Sequence, residues 1–320
     1  MLQIEMSDEA LNFKEFYSLI DKFHRPMQTI LRTIKYRHQE TSGTLVLGHP
    51  GCGKSFFAEK ILKDYAEKSM PDKDRCFGIY VETSGCGLNE LYREILTKLG
   101  DIDPGYGRIA DKHRRIIHLV NKLDVKVVFL DEIQVMLPTS GLLPTSKFVK
   151  QLKEMVNKTN CAWVLLGVPD AADIVAVDTQ LADRFPRVVC LESFSCAGEN
   201  KVLDFMEYLF DLLANFPRKM PYFKCLNESI NDDGYSYKSE VNYDNLLRLC
   251  LASQGRPRRI RDLFVDCIEN TSSDEKVTKA TFESAYVNCY SNNTDKQLGN
   301  PFLMPIKEVK KCLIKDGLYA

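Results

Sequence analysis

Gly48-His-Pro-Gly-Cys-Gly-Lys-Ser55 is the stretch that decides the fold, because it matches the pattern GxxxxGK[ST] in full. It follows a short apolar run, Thr44–Leu47, and opens a helical pattern that includes Phe57 and Ile61. A strand, a glycine-rich turn and a helix in this order let backbone N–H groups surround phosphate oxygens at a helix N-terminus. The alternative, an ordinary glycine-rich turn, is disfavoured by this context. The stretch therefore predicts a phosphate-binding loop.

The side chains of this loop have the chemistry that a nucleoside triphosphate requires. Lys54 is expected to reach the β- and γ-phosphates, and the hydroxyl of Ser55 is expected to bind Mg²⁺. Cys52 is interpreted as a buried spacer within the loop and not as a redox switch. The residues predicted to line the nucleotide are Gly48, Pro50, Gly51, Cys52, Gly53, Lys54, Ser55 and Phe56. ATP and Mg²⁺ are therefore the predicted cofactors.

A second segment, Val127-Val-Phe-Leu-Asp-Glu132, completes the predicted site. Four apolar residues predict a buried strand, and two carboxylates fall at its carboxyl end, where α/β sheets bind ligands. Asp131 is expected to hold Mg²⁺ directly or through water, and Glu132 is expected to polarise the attacking water as general base. An apolar run before Asp-Glu is a weak motif alone, but about 75 residues after a phosphate-binding loop it predicts an ATP-hydrolysing site.

Short apolar runs predict a parallel sheet around these two segments. Uninterrupted runs rich in Val, Ile, Leu and aromatic residues suit strands that are buried on both faces. The runs cover 44–48, 77–82, 126–131, 161–167 and 187–191. Helical patterns lie between them, and the clearest begins at Leu88 and ends at Gly100. The prediction is an α/β P-loop fold with a five-stranded parallel sheet covered by helices.

The strand pattern ends near residue 193, and only helical patterns follow it. We predict a helical segment over 1–40, a nucleotide-binding domain over 41–192, a small all-helical lid over 193–290 with an insertion near 215–243, and a flexible tail over 291–320. Two interpretations of the apolar residues in the tail stay open: they could dock in a groove of a partner protein or pack on the lid. These residues are Phe302, Leu303, Met304 and Ile306.

Arginines in two further motifs are candidates for contact with the phosphates. Arg184, in Leu181-Ala-Asp-Arg-Phe185, precedes the last predicted strand and could reach the γ-phosphate on a neighbouring subunit as an arginine finger. Its alternative is an ordinary surface arginine. Arg258, and after it Arg259, begin a lid helix and could fold back onto the phosphates; the alternative is a solvated basic helix end. The predicted catalytic residues are thus Lys54, Glu132 and Arg184.

Composition limits the remaining possibilities. The chain has 320 residues, 44% of them hydrophobic, and a formal net charge of -1, so DNA binding would need a local basic patch or many subunits. No apolar run approaches the ~20 residues that span a bilayer, and the N-terminus lacks a signal-peptide layout. Eleven dispersed cysteines without a CxxC pair suit a reducing compartment. We therefore expect a cytoplasmic protein without a membrane partner.

Taken in this order, the motifs resemble those of AAA+ ATPases over roughly residues 40–265. Within that superfamily the chain resembles the TniB/TnsC transposition regulators. The likeness rests on Asp178-Thr-Gln-Leu-Ala-Asp-Arg-Phe185, on Leu91-Tyr-Arg-Glu-Ile-Leu-Thr-Lys-Leu-Gly100, on Leu130-Asp-Glu-Ile133 and on Leu166-Gly167. The resemblance implies a bacterial ATPase that assembles on duplex DNA as a ring or a helical filament, with six or seven subunits in a turn. It also implies target-site selection, recruitment of a transposase and contact with a TniQ-like targeting protein.

The resemblance also places the DNA contacts at the start of the helix after the second strand and in the loop that follows it. The matching positions here are Asn89, Arg93, Arg108 and Lys112. Several basic residues surround Asp111 in this part of the chain, so the segment is locally basic. The alternative is a solvated helix face. Contacts to phosphates would make binding sensitive to salt and nearly independent of sequence.

One position departs from the family pattern, which usually has a polar residue after the glycine that ends the fourth strand. Here Val168 occupies that place, so turnover is expected to be slow. Other functions use the same motifs: an initiator- or clamp-loader-like replication ATPase, or a nucleotide-gated signalling switch without DNA binding. A metabolic kinase fits less well, because Arg184 and the lid arginines suggest action across subunits.

Overall fold

The structure, a computed structural model, describes residues 5–18, 20–38, 43–69, 76–83, 87–136, 146–176, 178–231, 234–290 and 299–319. Contacts divide the chain into two units: His24–Glu192, and Met1–Phe23 together with Ser193–Ala320. The first is called the nucleotide unit below and the second the composite unit, because it joins the two ends of the chain.

In chain order, the helices are α1 (Asp8–Glu15), α2 (Asp21–Lys35), α3 (Lys54–Ser69), α4 (Leu88–Lys98), α5 (Ile109–Lys122), α6 (Ser146–Lys158), α7 (Ala172–Ala176), α8 (Thr179–Ala182), α9 (Glu199–Asn215), α10 (Tyr243–Ser253), α11 (Pro257–Glu269), α12 (Lys279–Tyr290) and α13 (Ile306–Lys315). Short 3₁₀ helices cover Ile133–Met136 and Pro169–Ala171. The strands are β1 (Thr44–Gly48), β2 (Gly78–Glu82), β3 (Val127–Asp131), β4 (Ala162–Gly167), β5 (Arg187–Leu191), β6 (Lys224–Asn231) and β7 (Gly234–Val241).

The nucleotide unit is built on a parallel sheet with the strand order β2-β3-β4-β1-β5. Every residue of β1, β3 and β4 is buried, as continuous apolar runs predict for strands covered on both faces. Trp163, on β4, is fully buried and donates from its ring nitrogen to the hydroxyl of Thr159, 3.0 Å away. The five predicted strands and the α/β fold class are confirmed. Because the strands are parallel, the phosphate-binding loop after β1 and the carboxylates after β3 lie at the same edge of the sheet.

Helix α4 shows how the helices are fixed against this sheet. Leu91, Tyr92, Ile95 and Leu96 recur at helical spacing and are all fully buried. The helix ends at Lys98, and Gly100, two residues further on, adopts a positive φ of 73°, which glycine tolerates best. The prediction of this helix from spacing and a glycine stop is confirmed.

Aromatic side chains form much of the core of the composite unit. Phe13 of α1 lies 5.5 Å from Phe216 and 6.0 Å from Phe264, measured between ring centroids. At the other side of this core, Phe282 lies 5.5 Å from Phe264 and 5.4 Å from Phe302. Helix α1 is also tied to the unit by an ion pair of 2.7 Å between Glu9 and Arg218, and by a bond from the Ser7 amide to Glu269. The first helix therefore packs with segments from the end of the chain.

Two expectations for this unit were wrong. The lid is not all-helical, because β6 and β7 form an antiparallel hairpin within the predicted insertion. The last segment is not a flexible tail over 299–319: Phe302 is fully buried, and the Arg248 guanidinium donates to the carbonyls of Pro301 at 2.7 Å and Met304 at 2.6 Å. Of the two interpretations of the apolar tail, the structure shows packing on the unit itself, although Leu303 stays 63% exposed. Residues 291–298 lie outside the described part of the chain.

Within the described residues, the structure contains no helix that is both long and apolar enough to cross a membrane.

Candidate functional site

Two glycines shape the loop between β1 and α3. Gly51 and Gly53 have φ values of 85° and 100°, in the left-handed region where a side chain would be strained. Helix α3 then begins at Lys54, so the loop ends at a helix N-terminus, where backbone N–H groups favour anions. The predicted strand–loop–helix context of the motif is present.

Lys54 is held inside this loop. Its side chain is 5% exposed, and its ammonium donates to the carbonyl oxygens of Gly48 at 2.7 Å and His49 at 3.4 Å. Cys52 is 1% exposed, which agrees with the interpretation of a buried spacer. Packing also requires a glycine at position 48, since a Cβ there would lie 2.7 Å from the carbonyl oxygen of Leu191 on β5. The loop is therefore packed closely against the sheet and places a cation at its centre.

Asp131, at the end of β3, lies beside the start of α3. Its carboxylate accepts hydrogen bonds from the hydroxyl of Ser55 and the phenol of Tyr80, both at 2.6 Å, and from the backbone N–H of Glu132 at 2.7 Å. Burial and the bond to Asp131 raise the pKa of Tyr80 far above its usual range, so the phenol stays protonated and donates. Three donors thus fix a carboxylate that is only 1% exposed.

The residues at this point suit a magnesium ion. Ser55 supplies a hydroxyl oxygen and Asp131 a carboxylate oxygen, and Mg²⁺ prefers such hard oxygen ligands. Sites of this kind commonly use one or two protein ligands, with phosphate oxygens and waters completing the shell. The structure thus brings together Lys54, Ser55 and Asp131, which the sequence placed in one site. In the described part of the chain, no cluster of three or more His, Cys, Asp or Glu residues suggests a different metal site.

Glu132 turns the chain sharply after β3. Its φ is 55°, a left-handed value that costs a non-glycine residue on the order of 1 kcal/mol or more. Thr83, which is fully buried, braces this turn, because its hydroxyl lies 2.8 Å from the carbonyl oxygens of both Asp131 and Glu132. Backbone strain held in place by a buried side chain is a common mark of a functional position. Tyr80 and Thr83 are site residues that the sequence did not reveal.

A third residue missed from sequence is Gln134. Its side-chain amide donates to the carboxylate of Glu132 and accepts the backbone N–H of Val168 at 3.2 Å. Val168 itself is the residue that departs from the family pattern. The structure therefore shows a polar group from the 3₁₀ helix Ile133–Met136 bonded to the backbone at the end of β4.

The predicted arginines lie on locally ordered segments. Arg184 follows α8, whose N-terminus is capped by Asp178: the carboxylate accepts the N–H of Leu181 at 2.9 Å. Arg184 is half-buried, and its backbone carbonyl accepts the N–H of Gly43. In the composite unit, Arg258 is exposed, and the Arg259 guanidinium lies 5.1 Å from the ring centroid of Tyr290. The roles of these arginines toward a nucleotide stay predictions.

The candidate DNA residues differ strongly in exposure. Asn89, Arg93 and Arg108 are exposed, and Arg93 pairs with Glu90 and Glu94 on its own helix. Lys112 is only 2% exposed, and its ammonium donates to the side-chain oxygen of Asn89 at 3.1 Å. In this conformation the side chain of Lys112 is not exposed to a ligand. Its ammonium instead contacts the exposed residue Asn89 from within the fold.

Ion pairs with aspartates offset part of the positive charge that the sequence shows around Asp111. The Arg114 guanidinium pairs with Asp111, and this bond lowers the pKa of the carboxyl. Arg115 bonds to Asp101 and to the carbonyl oxygen of Tyr106, the latter at 2.8 Å. The guanidinium of Arg114 is therefore engaged within α5, and that of Arg115 holds the loop between α4 and α5.

The chain is similar in fold to several solved structures. Similar solved structures include the ORC2 protein of Aeropyrum pernix in ADPNP–ADP complexes, at 13% identity and a TM-score of 0.56 over 92% of this chain and 72% of that chain. The ORC1 protein of the same organism, in complex with DNA, matches at 13% identity and a TM-score of 0.58 over 88% and 68%. Cdc6p from Pyrobaculum aerophilum matches at 14% identity and a TM-score of 0.53 over 88% and 70%.

At such identities the likeness shows the fold alone. No curated protein sequence is significantly similar to this chain. The sequence pattern described as bacterial TniB protein matches residues 8–194, which is more than half of the chain. The chain is therefore an AAA+-type protein that belongs to the bacterial TniB family.

Proposed function

We propose that this protein is a Mg²⁺-dependent ATPase of the bacterial cytoplasm that oligomerises on duplex DNA and selects target sites for transposition. The observation that carries the ATPase part is the single cluster formed by Lys54, Ser55, Asp131 and Glu132 at one edge of the sheet. The transposition part rests on membership of the TniB family. Recruitment of a transposase and contact with a TniQ-like protein are further parts of the same proposal.

Each member of the cluster has a separate role in this proposal. The loop amides and Lys54 bind the phosphates, with the ammonium changing from carbonyl acceptors to phosphate oxygens. Ser55 and Asp131 hold Mg²⁺, which supplies charge neutralisation for the phosphates when it is bound. Glu132 orients the attacking water and accepts its proton. Tyr80 keeps Asp131 in place by donating to one of its oxygens.

The proposed DNA surface is formed by the start of α4 and the loop before α5. Arg93 and Arg108 are exposed there and can meet phosphates, and Asn89 can donate from its amide. Lys112 acts one step behind this surface, because it holds the Asn89 side chain from within the fold. The similar ORC1 protein was solved in complex with DNA, which supports a DNA role for this fold without assigning residues.

Fluorescence anisotropy of labelled, random-sequence duplex DNA tests the proposal as a whole. With ATP and Mg²⁺, binding is expected to rise steeply with protein concentration and to weaken as salt increases, because phosphate contacts release counterions. With ADP or without nucleotide, binding is expected to be much weaker. No binding in any state would contradict the DNA role and favour the nucleotide-gated signalling switch.

Two neighbouring arginines provide a matched pair for locating the surface in the same assay. Arg108→Ala is expected to reduce the slope of log affinity against log salt by about one unit, as for the loss of one phosphate contact. Arg114→Ala serves as the control, since its guanidinium pairs with Asp111. Equal behaviour of the two variants would place the DNA contact elsewhere.

Arg184→Ala tests action across subunits. The variant is expected to keep the ATP affinity of the monomer while turnover in the assembled state falls by at least about 100-fold, as for loss of an arginine finger. Nucleotide titration of the dilute protein and turnover at high protein concentration would measure the two effects. Lys158→Ala removes a surface cation that pairs with Glu154 and is the control. A variant with wild-type turnover would remove the finger role.

A further inference from the structure

The amide of Gln134 occupies a position that connects two parts of the site. Its oxygen lies 3.2 Å from the backbone nitrogen of Val168, just beyond the end of β4, and its nitrogen bonds to the carboxylate of Glu132 after β3. These strands are neighbours in the sheet. Gln134 therefore joins the proposed general base to the adjacent strand end.

The orientation of this amide is fixed by its partners. A backbone N–H can only donate, so the oxygen of the amide must face Val168. The nitrogen then faces Glu132 and donates to an oxygen of its carboxylate. The opposite orientation would set two acceptors against each other at Glu132 and two donors at Val168. The observed arrangement satisfies both contacts with one rotamer of Gln134.

Packing of the neighbouring residues restricts where this amide can lie. Ile133 is fully buried and Met136 is 8% exposed, so the 3₁₀ helix that contains Gln134 is anchored on both sides of it. Gly167, at the end of β4, leaves space for the amide. A Cβ at this position would lie 2.9 Å from the amide oxygen of Gln134 and 2.6 Å from the Cβ of Ala171. Packing around the 3₁₀ helix and at the end of β4 thus restricts the position of the amide.

We propose that Gln134 is the positioning residue for Glu132. Its amide fixes the orientation of the carboxylate and ties it to the backbone of Val168, at the place where the family resemblance puts a polar side chain. This inference rests on the proposed ATPase function.

Gln134→Leu tests the proposal, since leucine keeps the approximate size and loses both hydrogen bonds. Turnover is expected to fall roughly 10- to 100-fold, the range for a misplaced catalytic group. The Kd for ATP, measured by titration with a fluorescent ATP analogue, is expected to change less than about twofold, because Gln134 acts on Glu132 and not on the phosphate loop. Val135→Ala alters the exposed neighbour on the same 3₁₀ helix and is the control. Unchanged turnover, or an equal loss of affinity and turnover, would overturn the proposal.

A combination with Glu132→Ala distinguishes positioning from general support of the fold. If Gln134 acts through Glu132, then Gln134→Leu is expected to change the residual turnover of the Glu132→Ala protein by less than about twofold. A further tenfold loss in that background would show that Gln134 acts independently of Glu132 and would overturn the positioning role.

The nucleotide-free protein provides a readout that does not depend on hydrolysis. Because the two side chains share a hydrogen bond, their single substitutions are expected to shift the melting temperature non-additively, by roughly 2 °C or more in the double variant. The pair Val135→Ala and Glu132→Ala is expected to be additive. Additive shifts for Gln134→Leu and Glu132→Ala would contradict the contact. A wild-type protein that hydrolyses no ATP would instead contradict the proposed function, and this melting experiment would still decide the contact.

Discussion

Replacing Lys54 by alanine is expected to weaken ATP binding by at least about 100-fold, the largest effect on affinity that the site predicts. The ammonium is 5% exposed and lies at the centre of the loop, where it meets only the carbonyl oxygens of Gly48 and His49 among its described partners. Phosphate oxygens are stronger acceptors than carbonyls, because the bond then joins opposite charges. Isothermal titration with ATP and Mg²⁺ would measure the loss.

Lys60→Ala is the matched control for this variant. Lys60 lies on the same helix, α3, and pairs with Asp64 at 2.9 Å with its side chain 30% exposed. Its loss is expected to leave ATP affinity unchanged within about twofold, as for most surface pairs. If Lys54→Ala retained wild-type affinity and a wild-type circular dichroism spectrum, the nucleotide would have to bind elsewhere.

Replacing Glu132 by glutamine is expected to lower turnover by about 10²- to 10⁴-fold, the usual contribution of a general base. Glutamine has the same shape but cannot accept the proton of the attacking water. ATP binding is expected to persist, because Lys54, Ser55 and Asp131 are unchanged. Assemblies on DNA are therefore expected to last longer than those of the wild type. Phosphate release and the decay of DNA anisotropy after dilution would measure these two effects.

Glu154→Gln provides the control, since this carboxylate pairs with Lys158 on the surface of α6. It is expected to behave as wild type in both assays. Faster disassembly of the Glu132→Gln protein, or turnover close to the wild-type value, would exclude Glu132 as the base.

The sheet could be predicted from sequence because its signals are local. Central strands buried on both faces must be apolar throughout, and the predicted run 44–48 coincides with β1. The hairpin of β6 and β7 was missed because its segments mix polar and apolar residues without a clear alternation. The dipeptide Asp233-Gly234 is a hairpin signal that was available in the sequence.

The candidate site was predictable only where a motif fixes the spacing. Lys54, Ser55 and Asp131 belong to motifs whose geometry follows from a strand, a loop and a helix. Tyr80 and Gln134 carry no such pattern, because their roles arise from contacts between separate strands. The family resemblance placed Lys112 among the DNA contacts, whereas the structure buries its side chain on α5, on the same helix as the buried residues Ile116 and Val120. Sequence proximity does not tell in which direction a side chain lies.

The packing of α1 with the end of the chain has a consequence for the order of folding during synthesis. Phe13 leaves the ribosome early, but Phe216 and Phe264, which cover its ring, are translated only after the entire nucleotide unit. Such contacts between distant parts of the sequence form slowly, because a long intervening chain must first be closed. The nucleotide unit can thus fold first. The apolar face of α1 stays exposed, and accessible to chaperones, until the segment that contains Phe216 and Phe264 has been translated.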